Sequence, residues 1–223
     1  MSVHNHSLRL GAASLLAMLL GSYVFATDAS AEEYGDISRI NQGITIDSEE
    51  RVGDVSSVNG GIQLSDGSVA GKVSTVNGSI EIDDNVSLRS AHTVNGGIRV
   101  GRETSIDGDL ETVNGGISIE AGTEVAAGIE TVNGRIRLRG SRVGENVETS
   151  NGDIDVLDES VIEGDVIVRG RRHWWDRFFS FNTNEPELTI DSTSTVHGDI
   201  HLYQEVELNV ADGSVLGEII EHY

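Results

Sequence analysis

The chain has 223 residues, 37 of them Asp or Glu against 15 Lys or Arg, giving a net charge of -22 with one Lys, Lys72. A surface this acidic repels phosphate backbones and anionic lipids, which sets nucleic-acid binding aside. No Cys is present, which excludes a disulfide framework and a lipidated N-terminal cysteine, so the fold has to rest on packing and hydrogen bonds.

Arg9, the apolar run from Leu10 to Ala26 and the small residues Ala29, Ser30 and Ala31 have the layout of a secretory signal peptide over residues 1–31. The mature chain then begins at Glu32, and His4 and His6 leave with the leader. The alternative is an uncleaved anchor, but an apolar run of about 17 residues is at the lower limit for spanning a bilayer. About 190 residues remain, enough for one domain, and their low aromatic content implies a core of Val, Ile and Leu.

From residue 40 onward a short motif recurs: INQGI at Ile40, VNGGI at Val58, VNGSI at Val76, VNGGI at Val94 and Val113, VNGRI at Val132 and SNGDI at Ser150. The steps are 18 or 19 residues. A period that short means one supersecondary unit stacked on copies of itself, since no single copy could bury its apolar face alone. The shared pattern is V-x-G-x-V-x-T-V-N-G-x-I-x-I, with Ile and Leu exchanging at apolar positions, and both halves alternate with the period of a half-buried strand.

Two all-β architectures fit this pattern. Asn-Gly between alternating apolar residues is a strong hairpin signal and would build an antiparallel β-meander. A single-domain parallel β-helix, or β-solenoid, with coils of 18 to 19 residues is the favoured expectation. In a solenoid the chain bends at Thr-Val-Asn-Gly, so both the Thr and the Val could line the interior of a corner, whereas a hairpin turns the Val outward. Stacking also explains why equivalent positions repeat their residue type. Asn41, Asn59, Asn77, Asn95, Asn114, Asn133 and Asn151 would form a ladder of amide hydrogen bonds at a spacing of ~4.8 Å.

Outward positions carry a matching charge pattern. Gln63, Glu81, Arg99, Ser118, Arg137 and Asp155 follow the motif Ile in successive copies. Stacking would set Glu81 beside Arg99, Arg135 beside Asp153, and Arg137 beside Asp155, favouring the correct register. The position before Thr instead stacks Glu111, Glu130 and Glu148. That like-charge column could hold divalent cations, face a basic partner, or simply be solvated.

Coils are expected over residues 32–168, then an insertion over residues 169–187, then closing coils over residues 188–223, where V-x-G-x-I returns at Val196 and Val215. The insertion holds Trp174, Trp175, Phe178, Phe179 and Phe181 with Arg169, Arg171, Arg172 and Arg177. A positive aromatic segment on an acidic body suggests a contact loop for a protein, a glycan or a membrane interface. It could equally fold back over the open end of the solenoid and shield its core and strand edge.

Among the histidines, His197, Asp199 and His201 would share one strand face. Residues four apart on a strand are ~13 Å apart, so only His197 and Asp199 could chelate, and a solvated face fits as well. No nucleophile elbow, HExxH, P-loop or dinucleotide fingerprint occurs, and the glycines belong to the repeat turns. No catalytic residue, no cofactor site and no metal site is therefore assigned.

The TVNGGI copies resemble the T-x-N-G-x-I repeats of exported bacterial adhesin-type proteins of a domain-of-unknown-function class. The V-x-G-x-I strands are similar to those of bactofilins, polymer-forming β-helix proteins. The resemblance spans Tyr34 to Ile220 apart from the aromatic segment. It implies a right-handed parallel β-helix and, from bactofilins, end-to-end polymerisation, and it carries over no catalytic residue. A signal peptide departs from the cytoplasmic setting of bactofilins.

The expected function is that of a non-enzymatic structural or adhesion-type solenoid of the bacterial cell envelope, in the periplasm, at the cell surface or secreted. A self-polymerising scaffold and a carbohydrate-binding or carbohydrate-active β-helix are the alternatives. Expected partners are a second copy of the chain or an envelope protein or glycan, with membrane contact limited to the signal peptide or the aromatic segment.

Overall fold

The structure is a computed structural model, and it describes residues 34–170 and 185–223. The leader region and the contact-loop residues Arg171, Arg172, Trp174, Trp175, Arg177, Phe178, Phe179 and Phe181 lie outside them. Every described strand pair is parallel and in register with the copy one repeat away, as in Ile117 to Ile136 and Leu110 to Ile129. That rules out the antiparallel meander and establishes a parallel β-solenoid. No described helix is long and apolar enough to cross a membrane.

Each coil contributes a strand of three or four residues, such as Ile117–Ile119, to a sheet of nine strands running from Ile44–Ile46 to Glu207–Val210. The rest of the coil belongs to a second sheet of 15 strands. In the early coils its contribution is one continuous strand, Val69–Asn77 or Ser87–Asn95. In the later coils it divides into a short strand such as Ser105–Ile106 and a longer one such as Leu110–Asn114. The split falls at Gly108, where a side chain would press on the Arg89 carbonyl of the coil before.

Inside, equivalent apolar residues stack in columns. Ile62, Ile80, Ile98, Ile117, Ile136 and Ile154 form one column, and Val55, Val73, Ala91, Leu110, Ile129, Val147 and Val166 form another, all essentially inaccessible. The columns merge into one core from Ile44 to Leu202. Burying a side chain of this kind contributes about 1.5–3 kcal/mol, so an unbroken stack stabilises each coil only through its neighbours.

Thr75, Thr93, Thr112 and Thr131 also point inward. Each hydroxyl donates to the Gly carbonyl of the coil before, as Thr112 Oγ1 does to Gly96 O at 2.8 Å and Thr131 Oγ1 to Gly115 O at 3.0 Å. The bend diverts that carbonyl from the strand ladder, and the buried hydroxyl satisfies it.

One expectation about the corner needs correction. Only the Thr lines the interior: Ile40 is 68% exposed and Val58 42%, and the equivalent Val76, Val94, Val113 and Val132 are half-exposed. Alternation continues through the motif, so the residue after an inward Thr points out. None of the Asn and Gly residues of the Asn-Gly bend has a positive φ. Positive φ occurs at the other bend, at Glu49, Gly67, Asn85, Glu103, Gly122 and Gly140. The Asn-Gly glycines are needed for close approach instead: a Cβ on Gly115 would overlap the Gly96 carbonyl and come within 2.8 Å of the Gly97 nitrogen.

Past the undescribed segment the solenoid resumes in phase. Leu188 pairs with Ile154 and Ile200 with Val166, a separation of 34 residues in place of the usual 18 or 19. The final coils pack less well. Leu208 is 36%, Ile219 42% and Val215 57% exposed, so among the described residues this end presents apolar side chains.

Candidate functional site

The surface of the rod is a set of side-chain ladders. Asn59 Nδ2 donates to Asn41 Oδ1 at 2.9 Å, and the same bond repeats through Asn77, Asn95, Asn114, Asn133 and Asn151 at 2.8 to 3.1 Å. Asn114, in mid-ladder, makes two such bonds, donating to Asn95 and accepting from Asn133. A net hydrogen bond of this kind contributes about 0.5–1.5 kcal/mol. Asn114→Ala is therefore expected to cost about 1–2 kcal/mol in urea unfolding, and Asn41→Ala, which loses one ladder bond, about half as much. Equal losses at the two positions would remove the ladder as the cause.

The expected charge pairs form across adjacent coils. Arg99 reaches Glu81 at 2.6 Å, Arg135 reaches Asp153 at 2.5 Å and Arg137 reaches Asp155 at 2.9 Å. A further acidic ladder was not legible in the sequence. Asp36, Asp54, Asn146, Asp165 and Asp199 each accept the backbone N–H of the residue stacked above, at 2.8 to 2.9 Å. Asp66 and Asp84 do the same at the other bend. Part of the chain's acidity thus serves the bends, where it replaces strand hydrogen bonds that the turning backbone cannot make.

The column before Thr is where the surface departs from simple pairing. Glu111, Glu130 and Glu148 stack in register. His92 continues the column below Glu111, and Ile167 follows Glu148. At the upper end Arg169, which the sequence places in the insertion, forms an ion pair with Glu148. At the lower end His92 Nδ1 lies 3.2 Å from Glu111 Oε2, and His92 Nε2 lies 3.0 Å from Ser90 Oγ and 3.6 Å from Asp109 Oδ1.

Glu130, in the middle, has no ion-pair partner of its own among the described residues. Burial, followed by the charges of Glu148 and Glu111, pushes its carboxyl up to about 7, against the opposing pull of Arg169 and with a small addition from Asp109. A raised folded-state value means that the fold holds a proton which the unfolded chain releases above about 4.5. Stability from this group is therefore full below that pH and falls as pH rises to about 7. Discounted for its partial exposure, the loss is about 1–2 kcal/mol. Glu130→Gln should be more stable than the parent by that amount at pH 8, and the gain should shrink towards zero at pH 4.5. Guanidinium unfolding in EDTA at both pH values checks this, and an equal gain at both would exclude titration of Glu130 as its source.

The histidines near the C-terminus separate. His197 Nδ1 pairs with Glu163 Oε2 at 2.6 Å, and Asp199 Oδ1 accepts the Glu218 amide at 2.9 Å. These different partners do not join His197 and Asp199 as a chelating pair. His201 Nδ1 lies 3.1 Å from His222 Nε2, and Tyr203 stacks on His222. Among the described residues, the group that does converge is His92, Asp109 and Glu111, whose ligand atoms all lie within 4.8 Å of one another. Reading only the acidic members of the column hid His92; reading the column through every copy, as Ser56, Ser74, His92, Glu111, Glu130 and Glu148, would have found it. The chain matches no protein-family model, no curated protein and no solved structure.

Proposed function

We propose that the chain is a non-enzymatic structural protein of the bacterial cell envelope, exported by its N-terminal leader and acting in adhesion or as a rigid spacer. The observation that carries this reading is the single core from Ile44 to Leu202 with its outer ladders in register. Such a stack resists bending and offers long repetitive faces for contact. The leader-like sequence over residues 1–31 supports export. Cell fractionation with N-terminal sequencing tests it: a chain starting at Glu32 in the periplasm, on the surface or in the medium is expected. Recovery in the cytoplasm with Met1 or Ser2 retained would overturn the export reading.

A self-polymerising scaffold is favoured by one further observation, the exposed Leu208, Val215 and Ile219 of the last coils. An open end with free strand edges can receive another coil of the same kind. Sedimentation and electron microscopy distinguish the two readings. Filaments that disappear in Val215→Asn, Ile219→Asn would support the scaffold, and a strict monomer at high concentration would eliminate it.

A further inference from the structure

We propose that His92, Asp109 and Glu111 form a binding site for a divalent transition cation of the Zn2+ class, joining two adjacent coils on the outer face of the solenoid. The residues come from neighbouring turns: His92 from strand Ser87–Asn95, Glu111 from strand Leu110–Asn114, and Asp109 from the residue just before that strand. One imidazole nitrogen and two carboxylates, with ligand atoms within 4.8 Å of one another, are a donor set suited to Zn2+. Small rotations of the carboxylates bring the oxygens to the ~2.0–2.2 Å that such an ion requires and leave one position for water.

Three features support a cation here. First, Asp109 is spared the bend duty of its column. Asp54, Asn146, Asp165 and Asp199 each accept a backbone N–H from the coil above, whereas the Asp109 carboxylate lies 3.6 Å from His92 Nε2. Second, Ser90 Oγ lies 3.0 Å from Nε2 and can accept its proton. With Ser90 as its outer-shell partner, the ring is held with Nδ1 turned towards Glu111 Oε2, 3.2 Å away, as a ligating histidine is held by such a contact. Third, the site is sheltered yet reachable, with side-chain exposures of 12% for His92, 21% for Glu111 and 41% for Asp109.

Direct titration with the metal tests the site. ZnCl2 is titrated calorimetrically into the full chain and into His92→Asn, Glu111→Gln and Asp109→Asn, with His197→Asn and His201→Asn as controls. The parent should bind Zn2+ saturably. Each of the first three substitutions should weaken binding by about 100-fold or more, since losing a ligand costs more than losing an outer-shell partner. The two controls should leave it unchanged. Circular dichroism of each variant confirms that it is folded, and the parent's Zn2+-dependent rise in Tm should vanish in Glu111→Gln. No saturable uptake up to about 1 mM, or undiminished binding by folded His92→Asn, overturns the site. Loss of binding in the controls alone places the ion at the C-terminal histidines and overturns it equally.

Discussion

Gly115→Ala is expected to destabilise the solenoid by about 3 kcal/mol or more and to split its unfolding into two transitions. The added methyl would overlap the Gly96 carbonyl and crowd the Gly97 nitrogen. These are backbone atoms of a coil whose strands are fixed on both sides, so neither can move aside without breaking its own ladder. In a stack where each coil contacts only its neighbours, a fault at one interface uncouples the coils on either side. Gly122→Ala provides the contrast. Gly122 has a φ of 78°, and its nearest neighbour is the flexible Glu103 side chain, so the cost should be about 1–2 kcal/mol from backbone conformation alone. Thermal unfolding followed by circular dichroism orders the two. A smaller loss at Gly115 than at Gly122 would mean that the close approach at the Asn-Gly bend does not limit the stack.

The second large effect is expected in the core. Ile117 is 1% exposed within a column of isoleucines, and Ile117→Ala should cost about 2–5 kcal/mol through lost burial and the cavity left behind. Val113, four residues earlier, is half-exposed. Val113→Ala should cost less than about 1 kcal/mol, as expected of a surface position. Guanidinium unfolding of the two variants measures the difference. Comparable losses would return the Val to the interior of the corner, where the sequence pattern alone had allowed it.

That Val shows why the right fold could follow from an incomplete argument. An apolar residue before six of the seven ladder Asn residues suggests burial, yet Thr112 takes the inward position because its hydroxyl is needed at the Gly96 carbonyl. Stacking repeats the Val at equivalent positions without hiding it, since Val76, Val94, Val113 and Val132 stay half-exposed. The acidic content misled in a related way. Much of it reads as a solvated surface in sequence, whereas Asp54, Asp165 and Asp199 are tied to backbone amides.

The sequence by itself determined the period, favoured parallel stacking over hairpins, and with it specified the contacts that run straight along the rod. Once coils stack in register, residues 18 or 19 apart become neighbours, so the Asn ladder and the Arg137 to Asp155 pair could be read from spacing. Only the tertiary structure decided what happens across columns and at bends. Whether a Gly serves conformation or close approach depends on its φ and on the backbone beside it, and neither is encoded in the repeat. His92 and Glu111 stack in one column, but the approach of Asp109 to His92 depends on a side chain leaning sideways between two columns, a direction that a one-dimensional period does not contain.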